Sequence, residues 1–234
     1  MNTSRYQTVV LSFFRFPPGQ YLWAMSRMAI VPRQLKTEQR ISFFKMLGTG
    51  GGYGYSIKPD FSTYALLTVW NRREAAEEFE SDAPVMRRFR QHAIEVYSIF
   101  MRPIQSRGKW SGINPFIPVQ PPEEKFVLAV LTRATLKAKY YVPFWRRVGK
   151  VSRSHAASSG TMFTKGVGER PWTMQATFSV WESLGDMQHF AFGANKPHME
   201  AVQNVRKKNG FKEELFAWFI PLFTRGTWKG EQPI

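Results

Sequence analysis

Four histidines carry most of the metal-binding and acid–base chemistry open to this chain, because it has no cysteine. That excludes thiolate nucleophiles, cysteine-ligated zinc, protein-bound iron–sulfur clusters and thiolate-ligated haem. His198 follows Asn195-Lys196-Pro197, a helix start with proline close behind the cap. His198, Val202 and Val205 then share one face at i, i+4 and i+7, so the imidazole faces inward from a first helical turn. An inward histidine is either a hydrogen-bonded core residue or, in an aromatic cavity, an axial ligand for haem iron. His92 is its competitor in the first half, on an apolar face with Val85, Phe89 and Val96. His189 flanks a face made by Met187, Phe190 and Ala191, and His155 lies in a polar, turn-rich stretch. The sequence has no His-Glu-x-x-His zinc pattern, Ser-His-Asp order or EF-hand loop.

The glycines of Gly48-Thr49-Gly50-Gly51-Gly52-Tyr53-Gly54 lack the Gly-Lys-Ser/Thr ending of a phosphate loop, and Pro59 intervenes before the next element. They read as a hairpin connection. Lys165-Gly166-Val167-Gly168-Glu169 reads as the equivalent turn further on. Lys and Arg number 33 against 17 Asp and Glu, a net charge of +16. Such a surface suits an anionic leaflet, an acidic protein or nucleic acid. RNA-recognition strands need aromatics that the Lys165 segment lacks, so nucleic acid is not an expected partner.

The elements that must position these groups form two similar halves. Residues 113–124 hold four prolines and divide the chain near its middle. Residues 1–112 form a first half and residues 125–234 a second. Strand-like runs at 8–14 and 126–132 open them, and aromatic, helix-like stretches follow at 21–28 and 139–148. Runs at 41–45 and 161–165 lead into glycines, and runs at 64–70 and 174–181 both end in Val-Trp. Arg107-Gly108-Lys109-Trp110 is matched by Arg225-Gly226-Thr227-Trp228. Five matches in one order indicate a duplicated β-α-β-β-α-β unit, the ferredoxin-like plan. The predicted fold is α+β: two fused ferredoxin-like halves closing one barrel, as in the dimeric α+β barrels, with helices outside. With 20 Phe, 8 Trp and 10 Met the chain can build an apolar tunnel as well as a core. No apolar run is long enough to cross a bilayer and no signal peptide is evident, so the expected location is cytoplasmic.

Longer motifs resemble the spheroidene monooxygenase family, the acyclic carotenoid 2-ketolases. They are Phe144-Trp145-Arg146-Arg147-Val148, Gly166-Val167-Gly168-Glu169-Arg170-Pro171-Trp172, Gln175-Ala176-Thr177-Phe178-Ser179-Val180-Trp181 and Glu213-Glu214-Leu215-Phe216-Ala217-Trp218-Phe219, with Phe192, His198 and Arg206 between. The first half adds Leu22-Trp23-Ala24-Met25 and Phe44-Lys45-Met46-Leu47-Gly48. Asn209-Gly210-Phe211-Lys212 stands where the family pattern has an aromatic pair. The resemblance implies a haem monooxygenase that oxygenates a hydrophobic polyene with electrons from an external ferredoxin-like donor, which +16 would attract if acidic. It implies His198 as iron ligand; a ligating imidazole is made more basic when its far nitrogen donates to an acceptor, for which Glu213, Glu214 or a backbone carbonyl are the candidates. Arg133 and Arg147, with Arg146 and Arg153, are expected to meet the haem propionates, and Trp172 and Gln175 to face the pocket. The alternatives are a haem enzyme of aldoxime-dehydratase or peroxidase type, needing no electron donor, and a non-enzymatic basic module for RNA or lipid. Peripheral membrane contact fits both the charge and a membrane-dissolved substrate.

Overall fold

Alternation of apolar and small or polar residues along β-branched and aromatic runs makes strands, and here the alternation closes a barrel. The computed structural model describes residues 6–51, 58–142, 159–170, 173–194 and 209–234, with 192–194 by backbone only. The first half contributes β1 (Thr8–Arg15), α1 (Tyr21–Leu35), β2 (Ile41–Gly50), β3 (Pro59–Trp70), α2 (Arg73–Asp82), α3 (Pro84–His92) and β4 (Glu95–Gly108). The second contributes β5 (Leu128–Leu136), β6 (Thr161–Arg170), β7 (Met174–Trp181), α4 (Leu184–Gln188) and β8 (Phe211–Gly226).

The strand order is a closed barrel, β1-β3-β2-β6-β7-β5-β8-β4. Each half is therefore an antiparallel sheet of ferredoxin-like order, β4-β1-β3-β2 and β8-β5-β7-β6. The α+β barrel expected from the duplication is the fold observed. The two seams differ. β4 and β8 pair along most of their length, from Tyr97↔Gly226 to Gly108↔Leu215. β2 and β6 meet only at Gly48↔Gly168 and Thr49↔Val167.

One face of every strand fills the barrel with a single apolar cluster that includes Leu11, Phe13, Leu67, Tyr97, Leu131, Phe163, Phe178 and Phe219. The segments after β4 and β8 repeat one device. Gly108 (φ +102°) and Gly226 (φ +80°) turn the chain where a Cβ would lie 2.2 Å from Glu214 O and 2.0 Å from Val96 O. Glycine is required at both. Each turn then swings a tryptophan onto the core: Trp110 against Phe43 (5.6 Å between ring centroids) and Trp228 against Phe13 (5.6 Å).

Three details depart from the sequence reading. Residues 165–169 are not a turn but the middle and end of β6, because Lys165 reaches inward to Asp60 (2.9 Å) and Val167 joins the barrel core. α1 continues well past residue 28, through Pro32, to Leu35. The proline-rich segment is tied down: Phe116 is buried edge-on to Phe219 (5.0 Å), and Gln7 bonds both Pro115 O and Ile117 N.

Candidate active site

The outer faces of the two sheets are built from the same register and very different residues. Across the first sheet, β4 to β2, the rows are Ser98-Ser12-Leu66-Met46 and Val96-Phe14-Tyr64-Gly48. Helices α1, α2 and α3 cover them through a large apolar cluster that includes Phe14, Leu66, Met46, Phe79 and Phe89. The equivalent rows of the second sheet, β8 to β6, are Phe216-Thr132-Thr177-Gly166 and Glu214-Ala134-Gln175-Gly168. A third row runs Trp218-Val130-Ser179-Thr164. Where the first sheet has Leu66, Met46, Phe14 and Tyr64, the second has Thr177, Gly166, Ala134 and Gln175.

Part of that second face is nevertheless buried. Thr177 and Ser179 are 4% and 5% exposed and Gly166 is buried. Thr164 Oγ1 and Thr177 Oγ1 are buried without a hydrogen-bond partner. A buried hydroxyl left unpaired costs about 1–3 kcal/mol. The apolar cluster described on this face is small: Leu128, Trp181, Met187 and Phe190, with Trp218 and Val130 alongside. Trp181 and Phe190 lie 5.0 Å apart, and Ser183 caps α4 by accepting from Asp186 N. The face combines aromatic borders with a small-residue floor.

Two cavities border it. On the β6 side, about 300 Å³ lies across the β2–β6 seam, lined by Met25, Met28, Gly48, Tyr64, Gly168 and Gln175 among others. Burial, with Asp60 nearby, raises the Tyr64 phenol above its ordinary pKa, so it stays neutral there. On the β8 side, a polar groove of about 680 Å³ holds Arg107, Lys109, Lys212, Glu214, Phe216 and Trp218.

The sequence-selected residues separate. Gln175 is on the second outer face, its Nε2 donating to Arg170 O (3.2 Å). Arg133 is on the opposite face of its strand, inside the barrel and 3% exposed. It pairs there with Glu213 and lies 3.5 Å from Glu169, with its guanidinium 5.6 Å from the Trp110 ring centroid. Glu169 also accepts from Lys45 (2.7 Å) and Trp110 Nε1 (2.7 Å). Burial pushes the Glu213 carboxyl up, but the Gly112 and Ser111 N–H groups and Arg133 outweigh it and hold its pKa below the ordinary value. Arg133 is thus matched by protein carboxylates at one end of the barrel and turned away from the second outer face. Glu213 is committed to the same cluster.

His92 ends α3 in the first half, stacked on Trp23 (3.9 Å between centroids) with Nδ1 2.9 Å from Gln20 Oε1. His189 is exposed. His198, Arg147, Trp172 and the neighbouring His155, Arg146 and Arg153 lie outside the described residues. Among the described residues, no group of three or more His, Asp or Glu side chains could hold a metal ion, and no helix is long and apolar enough to cross a membrane. The small-residue floor escaped the sequence reading, because Thr132, Thr177, Gly166 and Ala134 become neighbours only once the strand register is known.

No family model matches the chain. The fold and the duplicated sheet define a two-repeat α+β barrel, the architecture of aldoxime dehydratase. A crystal structure of that enzyme with butyraldoxime superposes with a TM-score of 0.58 at 11% identity, over 93% of this chain and 80% of that one. A second aldoxime dehydratase gives 0.58 at 10%, over 93% and 82%. Those likenesses establish the fold alone. Sequence establishes more: spheroidene monooxygenase of Cereibacter sphaeroides is 38% identical over 97% of this chain and 71% of its own length. The Rhodobacter capsulatus protein of that name is 37% identical (96% and 94%), and that of Rubrivivax gelatinosus 30% (96% and 86%). The chain belongs to the spheroidene monooxygenase family and is an oxidoreductase of the monooxygenase type.

Proposed function

We propose that the chain is a haem-dependent monooxygenase that inserts oxygen into a hydrophobic polyene such as an acyclic carotenoid. The observation that carries this reading is the outer face of the second sheet, floored by small residues with two buried, unpartnered hydroxyls. The matching face of the first sheet is filled by its own side chains. The residues fit the group. Thr132, Thr177, Ala134 and Gly166 leave a flat floor, Trp181 and Trp218 supply aromatic borders, and Thr164 and Thr177 offer free hydroxyl donors. His198 is the iron ligand in this reading. Arg147 and the cations bordering the β8 side, Arg107, Lys109 and Lys212, meet the propionates in place of Arg133.

Haem, when bound, supplies the reductive activation of dioxygen: one oxygen atom goes to the substrate, the other to water, with two electrons and two protons from outside. The protein's part is to keep that face dry, to orient an apolar chain along it and to accept electrons from a separate carrier. The chain has no cysteine for its own iron–sulfur relay. A net charge of +16 favours an acidic ferredoxin and an anionic leaflet.

The test is the visible spectrum after haem addition to wild type, His198→Ala and His92→Ala. A Soret band in wild type and His92→Ala, lost or shifted in His198→Ala, supports the reading. No Soret band in wild type contradicts it.

A further inference from the structure

We propose that the cavity across the β2–β6 seam is the subsite that grips one end of an elongated, acyclic apolar ligand, the terminal segment of a polyene chain. The inference rests on the polyene reading above and adds a second site, at the seam between the two halves. It starts from the seam itself. Strands β2 and β6 meet at two residue pairs only, and one pair is Gly48↔Gly168. Over this short closure the barrel wall carries no side chain on its outer surface. Helix α1 arches above it with Met25 and Met28, and β3 flanks it with Phe61 and Tyr64.

The glycines identify what the space is for. Gly168 is forced, since a Cβ there would lie 2.5 Å from Met174 O. Gly48 is not forced. Its Cβ would meet nothing nearer than Gly168 O at 3.8 Å, and its backbone is not in the left-handed region. Neither packing nor conformation demands glycine at this position, where glycine weakens a strand. What a side chain at residue 48 would do is fill the cavity, since Gly48 is in its wall.

The size and chemistry of the space fit one end of a chain. About 300 Å³ is the lower limit of pockets that bury a drug-sized ligand, which runs to about 1,000 Å³. A long polyene cannot enter whole, and its remainder must lie elsewhere. Gly168 and Gln175 line the cavity and also end a row of the second outer face, so a chain leaving the seam passes directly onto that face. Two thioethers and two aromatic rings give an adaptable apolar grip. Two of the wall's carboxylates are matched within the protein, Asp60 with Lys165 (2.9 Å) and Glu169 with Lys45 (2.7 Å), and Arg170 is exposed at the rim. The lip is apolar as well. Met25 and Phe61 are 47% and 54% exposed, and Leu22, one turn before Met25, is 77% exposed. Exposed apolar groups around an apolar mouth are what a ligand delivered from a lipid phase requires.

The experiment uses the purified full chain without added haem or reductant. An acyclic C40 polyene is supplied in detergent micelles, and retained polyene absorbance is read after gel filtration. Gly48→Phe should keep the wild-type melting temperature and lower retention at least about tenfold, with Gly48→Ala in between. Ile117→Ser, a surface apolar change elsewhere, should leave retention unchanged. Wild-type retention by a folded Gly48→Phe protein overturns the seam site while leaving the monooxygenase reading intact. If wild type itself retains no polyene, both the seam site and the polyene reading fall. If Gly48→Phe unfolds, Met28→Trp fills the space from the helix side and is judged by the same two results.

Discussion

Replacing Arg133 by methionine separates a structural cation from a cofactor partner. Arg133 is 3% exposed, while the Glu213 and Glu169 side chains are about one-fifth exposed. Removing one member of a buried ion pair costs about 3–5 kcal/mol, because the other charge is left desolvated. Here the abandoned carboxylates keep other partners: Glu213 accepts from Ser111 N (3.1 Å) and Gly112 N (2.8 Å), and Glu169 keeps Lys45 and Trp110. The loss should therefore fall at the low end, about 3 kcal/mol. For a chain of this length each kcal/mol moves the melting temperature by about 2–4 °C, so Arg133→Met should melt roughly 6–12 °C lower. Arg133→Met/Glu213→Gln should recover about 1 kcal/mol or more, since the second change removes the stranded charge. Urea unfolding measures both, and haem titration of the folded variant supplies the functional readout. Haem affinity should stay within about twofold of wild type, well under the tenfold that 1.4 kcal/mol would make. A variant that melts like wild type but has lost haem would refute the reasoning and make Arg133 a cofactor partner after all.

Glu80 of α2 is buried against the first sheet, with Ser98 and Ser12 donating to its carboxylate. Burial outweighs those bonds and the nearby Arg90 and Arg225, and raises its pKa. Its contribution to stability is complete below the ordinary carboxylate pKa and is lost as pH rises through the raised value. Glu80→Gln should gain on wild type with rising pH, by up to about 1.4 kcal/mol per unit across that window; a pH-independent difference in urea unfolding would contradict this. Gly226→Ala, whose Cβ would meet Val96 O at 2.0 Å, should destabilise by at least about 2 kcal/mol. Gly112→Ala has φ +87° but nothing within 4 Å, and should cost only about 1 kcal/mol in the same melting series.

The strands were legible because their β-branched and aromatic runs recur in the same order in both halves, and the Arg-Gly-x-Trp repeats anchored the match. What those repeats do was not legible. A tryptophan two residues after glycine shows its role only when Gly108 and Gly226 are seen turning it onto the core. β6 was read as ending in a turn because Gly166 and Gly168 look like turn residues; Lys165 and Val167, pointing inward, keep the strand going. Arg133 looked available because it follows an apolar run near other arginines. Which side of β5 it occupies depends on register, fixed by pairs such as Arg133↔Ala176. The contrast between the two outer faces has the same origin. Thr132 and Ala134 on β5, Gly166 on β6 and Thr177 on β7 lie far apart in sequence, and they make a surface only after pairing.

Oxygen-isotope incorporation distinguishes the proposed haem-dependent oxygenation of an apolar chain from chemistry that needs neither dioxygen nor external electrons. Haem-loaded protein, a reduced ferredoxin and an acyclic polyene are incubated under ¹⁸O₂, the product is reduced at once to the alcohol, and its mass is measured. One labelled oxygen per hydroxyl is expected, strictly dependent on haem and reductant. Turnover without the reductant, or product oxygen drawn from water, would contradict it.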